Sequence, residues 1–205
     1  MTTLYGVSGS RAIRSIWAIE EVGIDYEHVP THFFNDSKTE DYLAINPNGR
    51  IPTLQDDGPD GPITLCESMA INLYLAKHYG GDLYPATAAD EALAWQWSVW
   101  AISEIEPLQM QIVVQKLFTP EEKRNPKVIA GAEKGLRRPL GVLDAHLAKR
   151  DWLLGDAFTV ADLNVAAVML LFDMIELDTS DFSGVSRWRS TCGARPALAR
   201  AQAKA

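Results

Sequence analysis

All of the β-patterned sequence in this chain lies in its first third, and that asymmetry constrains the fold more than any other feature. Thr3-Leu-Tyr-Gly-Val7 is a compact β-prone run, broken by Ser8-Gly9-Ser10. Ile24-Asp-Tyr-Glu-His-Val29 alternates apolar and polar residues and is closed by Pro30. Arg50–Gln55 and Ile63–Cys66 are two more short runs, separated by the turn chemistry of Asp57-Gly-Pro-Asp-Gly-Pro62. Helical periodicity fills the gaps. From Ser10, residues Ile13, Ile16 and Trp17 share one face, Arg14, Glu20 and Glu21 are left to solvent, and Gly23 is a stop signal. A short irregular helix is expected around Lys38–Ile45. A longer one runs from Glu67 to His78, with Met69, Ala70, Leu73 and Tyr74 as its apolar stripe and Gly80-Gly81 at its end. The order β-α-β-α-β-β-α over residues 1–81 predicts an α/β unit with a small mixed sheet.

After Leu83-Tyr-Pro-Ala-Thr87 the alternation does not return, and residues 88–205 read as all-helical. Ala89 to Phe118 forms one long pattern carrying Trp95, Trp97 and Trp100, with a bend expected at Pro107. A second pattern runs from Pro120 to Arg150. Pro126, Pro139, Gly131, Gly135 and Gly141 predict a kink or break within it. In Phe158-Thr-Val-Ala-Asp-Leu163, Thr159 caps the helix it precedes and Asp162 answers the Thr159 N–H, while Phe158 and Leu163 occupy the two positions of a hydrophobic staple. Val165–Ile175 is nearly all apolar, which predicts the central buried helix of this half. Shorter helices are expected at Ser183–Gly193 and Pro196–Ala205.

Composition closes off several function classes. A net charge of −8 argues against a nucleic-acid backbone or an anionic membrane surface as partner. Two cysteines without a CxxC fit a reducing compartment and give neither a disulfide framework nor a zinc site; the four histidines lack ligand spacing. The N-terminus has no charged segment followed by an apolar one, and no run reaches the length of a membrane span, so a soluble, cytoplasmic protein is expected.

One stretch is chemically unusual. In Asn46-Pro-Asn-Gly-Arg-Ile-Pro-Thr-Leu54 a proline follows directly on the β-branched Ile51, where it has no N–H to give a ladder. The next run ends in Glu67-Ser68, where a helix begins. A proline-bearing strand beside one that ends in an acid and a hydroxyl makes a peptide-shaped slot.

Taken together, Leu-Tyr-Gly before Ser10-Arg-x-x-Arg14, Asn46-Pro-Asn-Gly-Arg-Ile-Pro52, Glu67-Ser68 opening a helix, and Phe158-Thr-Val-Ala-Asp162 closely resemble the soluble glutathione S-transferase superfamily. The resemblance covers nearly the whole chain and is most like the bacterial serine-type members. It implies a thioredoxin-like domain followed by an all-α helical bundle, the architecture that the chain order suggests independently. It also implies a cis Ile51–Pro52 peptide, whose Ile51 backbone pairs with the cysteinyl backbone of glutathione. Glu67 would accept from the γ-glutamyl amine, Ser68 and the free N–H groups of its helix would bind the γ-glutamyl carboxylate, and Arg50 would reach the glycine carboxylate. Ser10 would donate to the thiolate, with Arg11 adding positive potential; Ser8 and Tyr5 are rivals, and Ser10 as a plain helix cap is the alternative.

The same resemblance implies glutathione as co-substrate, no metal, and a homodimer to which Tyr74 and Trp95 contribute. The helical half would supply the electrophile site, for which Trp97, Trp100, Ser103, Glu104, Met110 and Gln111 are candidates; three tryptophans on one helix are more often core or subunit interface than substrate pocket. The activity implied is conjugation of glutathione to small hydrophobic electrophiles. The alternatives are a non-catalytic binding or scaffold protein, or a glutathione-dependent isomerase or peroxidase of the same fold. Two departures narrow this. Position 10 is not cysteine, which disfavours the thiol-transferase and dehydroascorbate-reductase branch. Gly9-Ser10-Arg11 stands where the maleylacetoacetate isomerase branch has Ser-Ser-Cys. Cys66, in a strand, reads as a small core residue.

Overall fold

The computed structural model describes residues 1–204, and these cluster into two compact units: residues 1–86 together with the segment from Ala194 onward, and Thr87–Gly193. The first unit contains β1 (Thr3–Tyr5), α1 (Ile13–Val22), β2 (Glu27–Val29), α2 (Glu40–Ile45), β3 (Thr53–Asp56), β4 (Ile63–Cys66) and α3 (Ser68–Tyr79). Its sheet has the order β2-β1-β3-β4, with β2 parallel to β1 and the other pairs antiparallel. This is the thioredoxin-like arrangement expected. Leu4 and Leu54 from the sheet, Ile16, Trp17 and Ile19 from α1, and Ile71 and Leu75 from α3 are all fully buried, so α1 and α3 share one core with the sheet.

Three local expectations need correction. β3 begins at Thr53 rather than Arg50, because Pro52 has no N–H to extend the ladder. Of the stripe expected on α3 only Met69 is buried: the buried side is Ser68, Met69, Ile71, Asn72, Leu75 and Ala76, while Ala70 is exposed and Leu73 and Tyr74 half-buried. Arg14 is 2% exposed rather than solvated, and Asn72 Nδ2 donates to its carbonyl at 3.2 Å.

Asp56 ties the far end of the sheet together. Its carboxylate accepts from the hydroxyls of Thr2 at 2.6 Å, Tyr79 at 2.6 Å and Tyr74 at 2.7 Å. Burial pushes this carboxyl upward, but those hydroxyls and the Gly58 N–H outweigh it and hold it below its usual value. A carboxyl depressed in the folded state adds stability above its unfolded pKa of about 3.9, and that contribution is lost as pH falls through the folded value. Asp56→Asn should therefore flatten the acid limb of the urea-unfolding midpoint below about pH 4 relative to the unaltered protein. Parallel acid limbs in the two proteins would remove Asp56 from this role.

The second unit is helical throughout. α4 (Ala88–Trp100) continues through a π-helical turn, Ala101–Ile105, into α5 (Glu106–Val113), and a second π stretch covers Val114–Phe118. The π-helical turn stands just before Pro107, which has no N–H to donate to the Ser103 carbonyl. The pattern expected from Pro120 to Arg150 does break at Pro126, after the 3-10 turn Glu121–Lys123, but from there α6 (Pro126–Leu147) continues through Pro139 and the three glycines. Pro126 is its first residue, placed by Asn125, whose Oδ1 accepts from the Lys127 N–H at 3.0 Å. Pro139 lies in the helix interior, where the apolar face of Leu136, Leu140, Leu143 and Leu147 is buried and outweighs the cost of about 3 kcal/mol. α7 (Val160–Met169) is buried along its whole length, followed by α8 (Leu171–Met174) and α9 (Ser183–Gly193). The Thr159–Asp162 capping box is present, and Leu163 is fully buried.

α10 (Pro196–Gln202) packs on α1 within the first unit, through Ala197, Leu198 and Ala201. Sequence pattern had grouped it with the helical half; Ala205, its expected end, lies outside the described residues. Among the described residues no helix is long and apolar enough to cross a membrane, and no cluster of three or more His, Cys, Asp or Glu could hold a metal ion.

Candidate functional site

The sheet register brings the unusual stretch and the acid-hydroxyl pair together. Thr53 pairs with Cys66, so one step further along the antiparallel pair sets Pro52 beside Glu67. The Ile51–Pro52 peptide is cis. Ile51 is half-exposed, and its N–H and C=O lie outside the ladder with no protein partner among the described residues.

The loop leading into this peptide is held from several sides. The Arg50 carbonyl accepts from Tyr42 Oη at 2.7 Å and from Asn46 Nδ2 at 2.9 Å, while Asn46 Oδ1 accepts from the Asn48 N–H at 3.1 Å. Gly49 has a φ of +57°, and a Cβ there would sit 2.9 Å from the Ser37 carbonyl, so only glycine fits. The Lys38 ammonium donates to the Gly49 carbonyl, which puts a cation beside the exposed Arg50. Lys38 was not singled out in the sequence, since a lysine in a polar loop carries no signal of its own.

Glu67 has a φ of +73° and a ψ of +111°, an uncommon conformation for a side-chain-bearing residue that costs on the order of 1–3 kcal/mol. It stands at the N-cap of α3 and makes no capping hydrogen bond with its side chain. The first N–H groups of α3, starting at Ser68, are therefore left for an external acceptor at the positive end of a twelve-residue helix. Ser68 itself is 8% exposed. Cys66, expected in the core, is instead half-exposed on the neighbouring strand end, 3.9 Å from Asn48 Nδ2.

The third component is the turn between β1 and α1. Ser10 Oγ accepts from the Ala12 N–H at 3.0 Å and donates to the Val7 carbonyl at 2.8 Å. The half-exposed hydroxyl is thus a local cap whose proton is directed at a backbone carbonyl in this structure. Of its rivals, Ser8 Oγ donates to the Lys204 carbonyl at 2.6 Å, and Tyr5 Oη donates to Gln55 Oε1 at 2.9 Å. Burial and then the Glu27 charge push the Tyr5 phenol above its ordinary value. Arg11 is exposed on the turn.

The candidate electrophile residues all belong to the second unit and differ in burial. Trp97 is buried, edge-on to Trp100 at 5.1 Å and to His146 at 4.9 Å. Trp100 and Met110 are half-buried, whereas Ser103, Glu104 and Gln111 are exposed. Ser103 and Glu104 sit in the π-helical turn, which shifts them around the axis relative to an α-helical spacing.

The N-terminal domain model of glutathione S-transferase matches residues 1–77 and the C-terminal domain model residues 105–196. The Escherichia coli K12 protein named glutathione S-transferase GstB is 32% identical over 201 residues, covering 97% of this chain and 96% of its own. Glutathione S-transferase 3 of Zea mays is 37% identical over 180 residues, covering 82% and 77%. Among solved structures, a Pseudomonas fluorescens family member with two glutathione molecules bound superposes with a TM-score of 0.88 at 28% identity, over 100% of this chain and 93% of that one. A theta-class enzyme from Xanthomonas axonopodis pv. citri, with glutathione bound, gives 0.87 at 30% identity, over 100% and 98%. With both domain models matched in order over a thioredoxin-like unit and a helical one, the chain belongs to the glutathione S-transferase family.

Proposed function

We propose that this protein binds glutathione in the slot between Ile51 and the start of α3 and activates its thiol for attack on small electrophiles. The observation that carries the reading is the register that sets Pro52 beside a conformationally strained Glu67 at an uncapped helix N-terminus. The Ile51 N–H and C=O supply one rung of backbone pairing to an extended peptide. The Glu67 carboxylate accepts from the γ-glutamyl amine, and Ser68 with the first N–H groups of α3 receives the γ-glutamyl carboxylate. Arg50, with Lys38 nearby, takes the glycine carboxylate. Both are exposed cations beside the same loop.

Ser10 then serves the sulfur. A thiol with pKa near about 8.5 is only a few per cent ionised at neutral pH, and lowering that value by two units takes about 2.7 kcal/mol of differential stabilisation. The Ser10 hydroxyl keeps accepting from Ala12 while its proton turns from the Val7 carbonyl to the thiolate, exchanging a neutral acceptor for a charged and stronger one. The positive end of α1 and the Arg11 charge act in the same direction. The thiolate attacks the electrophilic carbon, a carbon–sulfur bond forms, and the leaving group departs with its electron pair or the adduct takes up a proton.

For the electrophile we propose Trp100, Ser103, Glu104, Met110 and Gln111 as contributors, with Trp97 supporting them from the interior. The reading includes a homodimer. Trp95 at 52%, Val99 at 59% and Ile102 at 39% exposure form an apolar stripe along α4 that a second copy would cover.

Retention on immobilised glutathione, followed by thiol-dependent turnover across a panel of electrophiles, tests the proposal. Retention with turnover is expected. Retention without turnover on any electrophile favours a binding or scaffold protein, and no retention removes the slot assignment. Glu67→Ala should weaken glutathione binding by about 2–3 kcal/mol, or roughly 30- to 150-fold, because the γ-glutamyl ammonium loses its charged partner. Titration calorimetry on that variant measures the change, and an unaltered Kd takes Glu67 out of the site.

A further inference from the structure

The Ser10 turn has an anchor nearly two hundred residues away in sequence. Ser8 Oγ, two residues before Ser10, donates to the Lys204 carbonyl at 2.6 Å across a separation of 196 residues. Within the turn the bonds are local: the Ser10 N–H donates to the Val7 carbonyl at 3.2 Å, and Ser10 Oγ donates to the same oxygen. Gly9 is exposed, and a Cβ there would meet nothing within 4 Å. The Ser8–Lys204 bond therefore attaches an otherwise locally closed turn to a packed element.

That element is firmly seated. Ala197, Leu198 and Ala201 of α10 are buried against α1. Glu20 Oε2 accepts from Arg200 Nε at 2.9 Å, its Oε1 lies 3.3 Å from Lys204 Nζ and accepts from Tyr26 Oη at 2.9 Å, and the Glu20 carbonyl accepts from Arg200 Nη2 at 2.7 Å. Lys204 Nζ also stands 5.1 Å over the Tyr26 ring. Arg195 bonds the Glu21 carboxylate, which accepts from Trp17 Nε1 at 3.1 Å as well. Cations on both sides of α10 thus grip the C-terminal end of α1, and the chain beyond α10 runs on to the N-terminal end of the same helix, where Ser8 meets it.

We propose that Ala203–Lys204 is a positioning element of the site: through the Lys204 carbonyl it fixes Ser8 and so holds the Val7–Ser10 turn in the orientation from which Ser10 serves the glutathione thiolate. Ser8 is then a positioning residue and not a rival donor, because its proton is committed to Lys204. The second half of this assignment rests on the glutathione reading given above. The first half, the tethering of the turn, does not.

The test compares Ser8→Ala, Ser8→Thr, a chain lacking residues 203–205, and the combination of that deletion with Ser8→Ala. Amide hydrogen exchange at Ala12 and Ile13, whose N–H groups bond Ser10, reads the turn without any ligand. Exchange at both should accelerate by about three- to tenfold in Ser8→Ala and in the deletion, the scale of one lost hydrogen bond. The double variant should be no faster than either, and Ser8→Thr should match the parent. With glutathione bound, the ultraviolet absorbance of the thiolate against pH should show its pKa raised by about half to one unit in the same two variants, with Kd changed by less than about twofold. A purely structural tail would leave that pKa where it was. Unchanged exchange in Ser8→Ala, or additive effects in the double variant, overturns the tether. Faster exchange with an unmoved thiol pKa overturns the positioning role. Faster exchange in Ser8→Ala, together with a parent protein that retains no glutathione, shows that the glutathione reading has failed, and the positioning assignment falls with it while the tether stands.

Discussion

Asp162→Ala should destabilise the helical unit by about 3–5 kcal/mol, the largest stability change expected from any single substitution described above. The carboxylate is fully buried and receives four donors: the Leu153 N–H at 2.8 Å, Trp188 Nε1 at 2.9 Å, the Thr159 N–H at 3.0 Å and the Thr159 hydroxyl at 3.2 Å. Alanine leaves those groups buried without an acceptor, and it removes the polar knot that joins the start of α7, the segment before it and α9. Because α7 is buried over its whole length, misplacing its first turn disturbs most of that core. Asp162→Asn should cost less. Its Oδ1 still accepts from Leu153 and Trp188, but its amide group points donors at the donors of Thr159. Urea unfolding followed by far-ultraviolet circular dichroism measures both, since the unit that holds the knot is helical throughout. A loss below about 1 kcal/mol for Asp162→Ala would mean that water or a shifted backbone satisfies the four donors, and that the knot is dispensable.

Ser10→Ala should lower kcat by about 10- to 100-fold, the loss of one hydrogen bond to a charged group, and raise the pKa of the bound thiol by about one to two units. The affinity for glutathione should change little, because in the proposed binding mode the γ-glutamyl and glycine ends are held by other residues. The pH profile separates this from a folding defect: at high pH, where the thiol ionises unaided, the variant should recover much of the parent's rate. A uniform loss at all pH values would assign Ser10 to its capping of Ala12 alone. An undiminished rate would pass the activating role to Arg11 or to a backbone N–H of the turn, since Ser8 is engaged with Lys204.

Much of the architecture was legible from residue patterns. The strand runs, the loss of alternation after Thr87, the Gly23 stop and the Thr159–Asp162 box are local signals, and local signals survive folding because they depend on neighbours a few residues away. The expected break occurred at Pro126, where α6 begins, but not at Pro139. Proline propensity acts on one turn, while burial of a leucine face acts along the whole helix and prevails. Arg14 was misjudged for a related reason. On the pattern of α1 alone it belongs to the wet side, and only the placement of α3 shows that this side is covered. The grouping of α10 likewise could not be read from its composition, because its partner α1 lies about 175 residues earlier: Ala197, Leu198 and Ala201 bury against it, and Arg195 and Arg200 bond two of its glutamates.

The candidate site divides along the same line. By itself the sequence determined which groups are available: Ile51-Pro52, Glu67-Ser68 and Ser10, each within a short run whose residue types have few other uses together. Tertiary structure decided how they are presented. The β3–β4 register set Pro52 beside Glu67, the φ of +73° at Glu67 left the start of α3 uncapped, and the returning segment after α10 bonded Ser8 through the Lys204 carbonyl. Residue types follow from the one-dimensional order of the chain. Register, an uncommon backbone angle and a contact across 196 residues exist only once the sheet and helices have closed on one core.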